Sequence, residues 1–158
     1  MKKIVCLLGC LVFVLCGGLF SGCSNGTALT PKEFVQQFLD FELPQDMEVI
    51  YTYKTKMNER YTVFRCIEEP TEMLENFAPP NEYDYMGEDA FAYNFITRLR
   101  LFDGEDKVPK ITYPNFDENY LLFYSSRGKM RNGETYRGDM ALAYFPSSMQ
   151  LYTLGGFD

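Results

Sequence analysis

The chain has 158 residues, 15 basic against 22 acidic, a formal net charge of −7, and no histidine. The acidity argues against a nucleic-acid partner and against binding anionic headgroups with the whole surface. The missing histidine removes Ser-His-Asp and Cys-His catalysis and nearly all transition-metal sites, and the length suits one domain that buries a core without staples.

The first element is the opening "MKKIVCLLGCLVFVLCGGLF". Lys2 and Lys3 form a short basic region, and the apolar run that follows (4–20) is only about as long as the shortest membrane spans, near 17 residues. Gly9, Gly17 and Gly18 interrupt it, which suits a processed secretory segment better than a permanent anchor. The run ends at Phe20-Ser21-Gly22-Cys23. This "LFSGC" resembles the lipobox of bacterial lipoproteins, in which Leu and two small residues precede a Cys. Ser21, Gly22 and Cys23 match position by position, while Phe20 stands where Leu is commonest. The resemblance covers residues 1–23 only. It implies that the Cys23 thiol receives a diacylglyceryl group, that a peptidase cuts just before it, and that the protein is held at the cell membrane facing the outside or the periplasm. Phe20, Ser21 and Gly22 would then be the residues the signal machinery recognises. Ser24, which is not Asp, would by the same resemblance permit outer-membrane delivery where such a membrane exists. Cys6, Cys10 and Cys16 read as apolar filler, since a free Cys behaves as a small hydrophobe.

The expected organisation is therefore a signal peptide over 1–22, a lipidated Cys and tether over 23–29, and one globular domain over 30–158. The mature part keeps 13 basic and 22 acidic residues, a formal charge of −9. With Cys23 acylated, Cys66 has no intramolecular partner, so stability rests on packing, with aromatic burial as the main resource. The tether "SNGTAL" reaches at most about 20 Å at ~3.3 Å per residue.

"TPKEFVQQFLDFEL" predicts an amphipathic helix ending before Pro44. Thr30 is placed to cap it, Pro31 to sit at its first position, and Glu33 to complete a capping box; Phe34, Val35, Phe38 and Leu39 make the apolar stripe. "MEVIYTYKTK" alternates, with Val49, Tyr51 and Tyr53 on one face and Glu48, Thr52 and Lys54 on the other. With "YTVFRCI" it predicts a hairpin turning near Asn58-Glu59. The second strand is apolar on both faces, which places it in the sheet interior. A short helix is expected from Thr71 and is stopped by Pro79-Pro80. In "GEDAFAYNFITRLRLF" the residues Phe91, Phe95, Leu99 and Phe102 recur at helical spacing, with acids early and Arg98 and Arg100 late, as the helix dipole favours. "YLLFYSS", "MALAYF" and "LYTL" read as strands, the last two joined by a turn at Pro146-Ser147-Ser148. Together these elements predict an α+β fold, an antiparallel sheet of about five strands with helices packed on one face.

Candidate chemistry is sparse. Glu82, Asp84, Glu88 and Asp89, and again Asp103, Glu105 and Asp106, are oxygen-rich loops that lack the ligand spacing of an EF-hand, so no metal or cofactor is expected. A carboxylate pair could run glycoside chemistry without histidine, but no two acids are singled out. In "RGKMRNGETYRGD", the residues Arg127, Lys129, Arg131 and Arg137 gather four positive charges in an acidic chain. Asn132-Gly133 there signals a hairpin turn, so the segment is either a solvated hairpin tip or a contact for an anionic surface or acidic partner. Arg137-Gly138-Asp139 spells a tripeptide seen in integrin ligands, a match short enough to arise by chance. Tyr51, Tyr53, Tyr120, Tyr124, Tyr144 and Tyr152 fall on expected strands, as core or as an aromatic recognition face.

The expectation from these residues is a non-catalytic, lipid-anchored binding module at the cell envelope, with an accessory or self-protection role as one form. Its partners would be the membrane through Cys23 and an envelope protein or polymer, with no nucleic acid. A small-molecule or carbohydrate-binding lipoprotein is the alternative, and a carboxylate-only hydrolase a third.

Overall fold

The computed structural model describes residues 29–55, 59–80, 88–103, 111–129 and 135–157. The elements are α1 (Pro31–Gln36), β1 (Glu48–Lys54), β2 (Arg60–Arg65), α2 (Thr71–Leu74), α3 (Glu88–Asp103), β3 (Leu121–Lys129), β4 (Thr135–Phe145) and β5 (Gln150–Phe157). The five strands form one sheet in the order β1-β2-β5-β4-β3, and every neighbouring pair is antiparallel. β1–β2, β3–β4 and β4–β5 follow each other in the chain, whereas the link carrying α2 and α3 takes the chain from the middle of the sheet to its far edge.

The capping box at the start of α1 forms as its residues require. The Thr30 hydroxyl accepts from the Glu33 amide at 3.2 Å, and the Glu33 carboxylate accepts from the Thr30 amide at 2.9 Å, satisfying two of the donors a helix start leaves open. The helix is shorter than its apolar stripe predicts. After Gln36 the backbone tightens, with the amides of Phe38 and Leu39 donating to the carbonyls of Val35 and Gln36, three residues back. The Gln36 side chain holds the returning chain, donating to the Phe41 carbonyl at 2.6 Å and accepting from the Leu43 amide at 3.0 Å. Phe34, Val35, Phe38, Leu39 and Leu43 are all buried nonetheless. The apolar spacing identified the right side chains but not the backbone that delivers them.

β2 lies inside the sheet, as its two apolar faces require. Along β1 the alternation fails at one point: the register with β2 shifts between Val49 and Tyr51. A bulge places two residues against one on the partner strand, and Val49 and Ile50 are both exposed. Tyr51 and Tyr53 resume the pattern and pack against the core under α3. At the other edge β3 is partly sealed, because Ala78 and Leu122 exchange two backbone hydrogen bonds of 2.9 and 3.0 Å, removing part of an otherwise unpaired row of donors and acceptors.

The expected one-sided covering of the sheet is corrected by the way its residues alternate. In β4, Ala141, Ala143 and Phe145 join a cluster with Phe91, Phe95 and Leu99 of α3. Met140, Leu142 and Tyr144 join a second cluster with Phe34 and Val35 of α1 and Met73 of α2. β2 and β5 divide the same way: Tyr61, Val63, Tyr152 and Leu154 toward α3, Phe64 and Leu151 toward α1. A sheet whose central strands are apolar on both sides must be covered on both. Under α3 the small side chains of Ala141 and Ala143 leave room for an aromatic stack in which Phe116, Tyr120 and Phe145 lie 4.9–5.6 Å apart between ring centres. The Tyr61 hydroxyl donates to the Thr112 carbonyl at 2.6 Å and fixes the segment that carries these rings.

β4 and β5 meet closely at Gly155, which is paired with Met140. A Cβ there would collide with the Asp139 carbonyl oxygen and stand 2.7 Å from the Met140 Cα, so the position accepts only glycine.

Candidate functional site

The most developed polar cluster among the described residues sits between α3 and the sheet. Arg98 follows Phe95 by three residues and precedes Leu99, which brings it near the sheet end where β2 begins. Its Nη1 donates to Asp139 Oδ2 at 2.7 Å, and its Nη2 donates to Asp139 Oδ1 at 3.0 Å and to Glu59 Oε1 at 2.8 Å. The Tyr124 hydroxyl approaches Asp139 Oδ2 at 3.4 Å. The planar guanidinium thus forks onto one carboxylate and reaches a second. Burial works against its charge, but the hydrogen bonds and charges of Asp139 and Glu59 outweigh it and raise the Arg98 pKa above the ordinary arginine value. The cluster ties together three distant segments: the residue before β2, the helix α3 and the strand β4.

Beside it lies a cavity of about 160 Å³ with Phe91, Phe95, Ala141 and Leu154 as apolar wall and Asn94, Arg98, Tyr124 and Asp139 as polar wall. Drug-sized ligands generally occupy ~300–1,000 Å³, so this space suits a group of a few atoms. A broader groove of about 440 Å³ runs between the 42–45 segment and the 69–73 segment, with Glu42, Glu69 and Glu72 on its rim.

Sequence reasoning did not single out Arg98, Asp139 and Glu59 as a unit. In the sequence the helix dipole accounts for Arg98, and Asp139 falls in the short tripeptide match. One available signal was Asp139 itself, an acid in strand alternation with Ala141 and Ala143, where a charge facing the core requires a partner. Its carboxylate is engaged by Arg98 of α3, and its backbone is paired with β5.

The residues expected to matter are distributed as follows. Cys23, with Phe20, Ser21 and Gly22, lies outside the described residues, as do Arg131, Glu82, Asp84, Glu105 and Asp106. Arg127 and Lys129 lie on β3 and Arg137 on β4; the register places Arg127 opposite Arg137 and Lys129 opposite Thr135. Glu88 and Asp89 open α3 and Asp103 closes it. No group of three metal-ligating side chains occurs among the described residues. The tyrosines divide unevenly between the faces: Tyr51, Tyr53, Tyr120, Tyr124 and Tyr152 pack under α3, and Tyr144 packs on the α1 side.

Cys66 is buried in the α1-side core. Burial, and secondarily the charge of Asp46, pushes its thiol up to about 11, and burial likewise pushes Tyr144 up to about 12. The thiolate is the reactive form, so Cys66 should resist thiol reagents at neutral pH until the protein unfolds. A group that must stay protonated in the folded state stabilises it fully below its unfolded pKa and less as pH rises toward the folded value. The melting temperature should therefore fall as pH rises from about 9 toward 11, and Cys66→Val should flatten the start of that fall. An unchanged alkaline profile in Cys66→Val would count against the thiol as a contributor.

No protein-family model, curated protein or solved structure matches the chain.

Proposed function

We propose that the protein is a lipid-anchored, extracytoplasmic module that binds an envelope protein or polymer without catalysis. The observation that carries this reading is the halt of the apolar run at Ser21-Gly22-Cys23, where acylation would place the following domain at a membrane surface. Two features of the described domain support the non-catalytic part of the reading. Glu59 and Asp139, the acids beside the α3 cavity, are engaged by Arg98, and the thiol of Cys66 is buried. Arg127, Lys129, Arg131 and Arg137 are the proposed contact for an anionic partner.

The test compares tagged wild type with Cys23→Ala in cells. Wild type should fractionate with membranes and carry an N-terminal diacylglyceryl Cys by mass spectrometry, and Cys23→Ala should lose that modification. Cross-linking in the same cells should capture a discrete envelope partner that Cys23→Ala no longer captures. An unmodified Cys23 in wild type would refute the anchor. A lipidated protein that captures nothing would remove the partner-binding part of the reading.

A further inference from the structure

We infer that the cavity between α3 and the sheet is a binding site for a primary ammonium group carried on one ring or a short apolar stem. The site is complete without the anchor at Cys23 and without the partner contact proposed above. Size sets the first limit on its occupant. The space measures about 160 Å³, and an apolar cavity of about 150 Å³ holds a benzene ring. Phe91, Phe95, Ala141 and Leu154, all buried, make the inner wall. An apolar group seated there trades water for contact with side chains that α3, β4 and β5 hold in place.

The charges of the outer wall select the polar end of the ligand. Of the described side chains lining the cavity, Arg98 is the one cation. It stands between two carboxylates, with Asp139 at 2.7 and 3.0 Å and Glu59 at 2.8 Å. These three side chains therefore carry one negative charge in excess. A carboxylate offers about four acceptor positions. Asp139 uses two on the guanidinium and a third on the Tyr124 hydroxyl at 3.4 Å, which leaves room for one more donor. An ammonium supplies that donor and the missing charge, and the rings of Phe91 and Phe95 beside it favour a cation further. An anion would meet the excess negative charge instead. A neutral ring would fill the apolar wall but strip water from Asp139 without replacing it. Arg98 and Asp139 keep 26% and 34% of their side-chain exposure, so the polar wall opens to solvent and the ligand enters with its apolar part leading.

A free amine and the lysine side chain of a protein share this chemistry. The full chain in detergent micelles is titrated with benzylammonium, benzyl alcohol and benzoate, ligands of one shape and different charge, by saturation-transfer NMR against empty micelles. Benzylammonium should bind about tenfold tighter than benzyl alcohol, because charge-assisted hydrogen bonds are roughly twice as strong as neutral ones. Benzoate should bind more weakly than either. In Asp139→Asn the preference for the ammonium should disappear. Asn94→Lys, at an exposed position of α3 that lines the cavity, brings an ammonium of the chain to the same wall. It should weaken benzylammonium several-fold with an unchanged circular dichroism spectrum, and it decides the matter if Asp139→Asn unfolds. Nα-acetyl-lysine methylamide separates the two sources: displacement of benzylammonium assigns the site to a lysine of a protein partner, and no displacement assigns it to a free amine. Absence of benzylammonium binding, equal binding of the three ligands, or an ammonium preference that survives Asn94→Lys undiminished would overturn the inference.

Discussion

Phe95→Ala should lower the unfolding free energy by about 3–5 kcal/mol, the range for deleting a fully buried aromatic ring. Phe95 is only 2% exposed and is surrounded by rings: Phe116 at 5.6 Å, Phe91 at 5.9 Å and Tyr61 at 6.5 Å between centres. These belong to three different segments, namely the loop before β3, α3 itself and β2. Neighbours fixed in separate segments relax poorly into a void, which keeps the cost at the high end. Since a domain's net stability is about 5–15 kcal/mol, the substitution removes a large share of it. Urea unfolding monitored by far-ultraviolet circular dichroism measures the loss. A change under ~1 kcal/mol would mean that α3 does not clamp this face of the sheet as described.

Arg98→Met should cost about 2–3 kcal/mol, below the ~3–5 found when a fully buried ion pair loses one partner. The discount reflects solvent at the site, where the side chains of Arg98, Glu59 and Asp139 retain 26%, 32% and 34% of their exposure. Methionine keeps most of the stem's packing, so the loss isolates the charge: two carboxylates then face one another without the cation between them. Adding Asp139→Asn to Arg98→Met should recover part of the stability, because it removes one of the opposed charges. If the double variant is less stable than Arg98→Met alone by the full cost of Asp139→Asn, the two residues are energetically independent. The clamp would then be refuted.

Local signals in the chain were strong enough to place most elements. The Thr30–Glu33 capping box, the helical spacing of Phe91, Phe95 and Leu99, and the turn at Pro146-Ser147-Ser148 are decided by residues within a turn or two of each other, and all three appear where they were expected. So does the interior place of β2, announced by Tyr61, Val63 and Phe64 occupying both faces of a single strand. The same double-sidedness recurs in "MALAYF", where both alternate sets are apolar. That pattern already implied two coverings for the sheet.

Other features depended on residues far apart in the chain. α1 stops at Gln36 because that side chain bonds the backbone at Phe41 and Leu43, a competition that helical periodicity does not encode. The bulge at Val49–Tyr51 exists only in the register with β2. Glu59, Arg98 and Asp139 meet across separations of about 40 residues. By itself, then, the sequence determined the types of most elements, the apolar residues available to the core and the lipobox resemblance ending at Cys23. Tertiary structure alone decided which helix covers which face and where Arg98 finds its carboxylates. Capping, periodicity and turns are short-range energies, whereas ion pairing, register and face selection are set when the sheet closes and distant segments compete for the same surface.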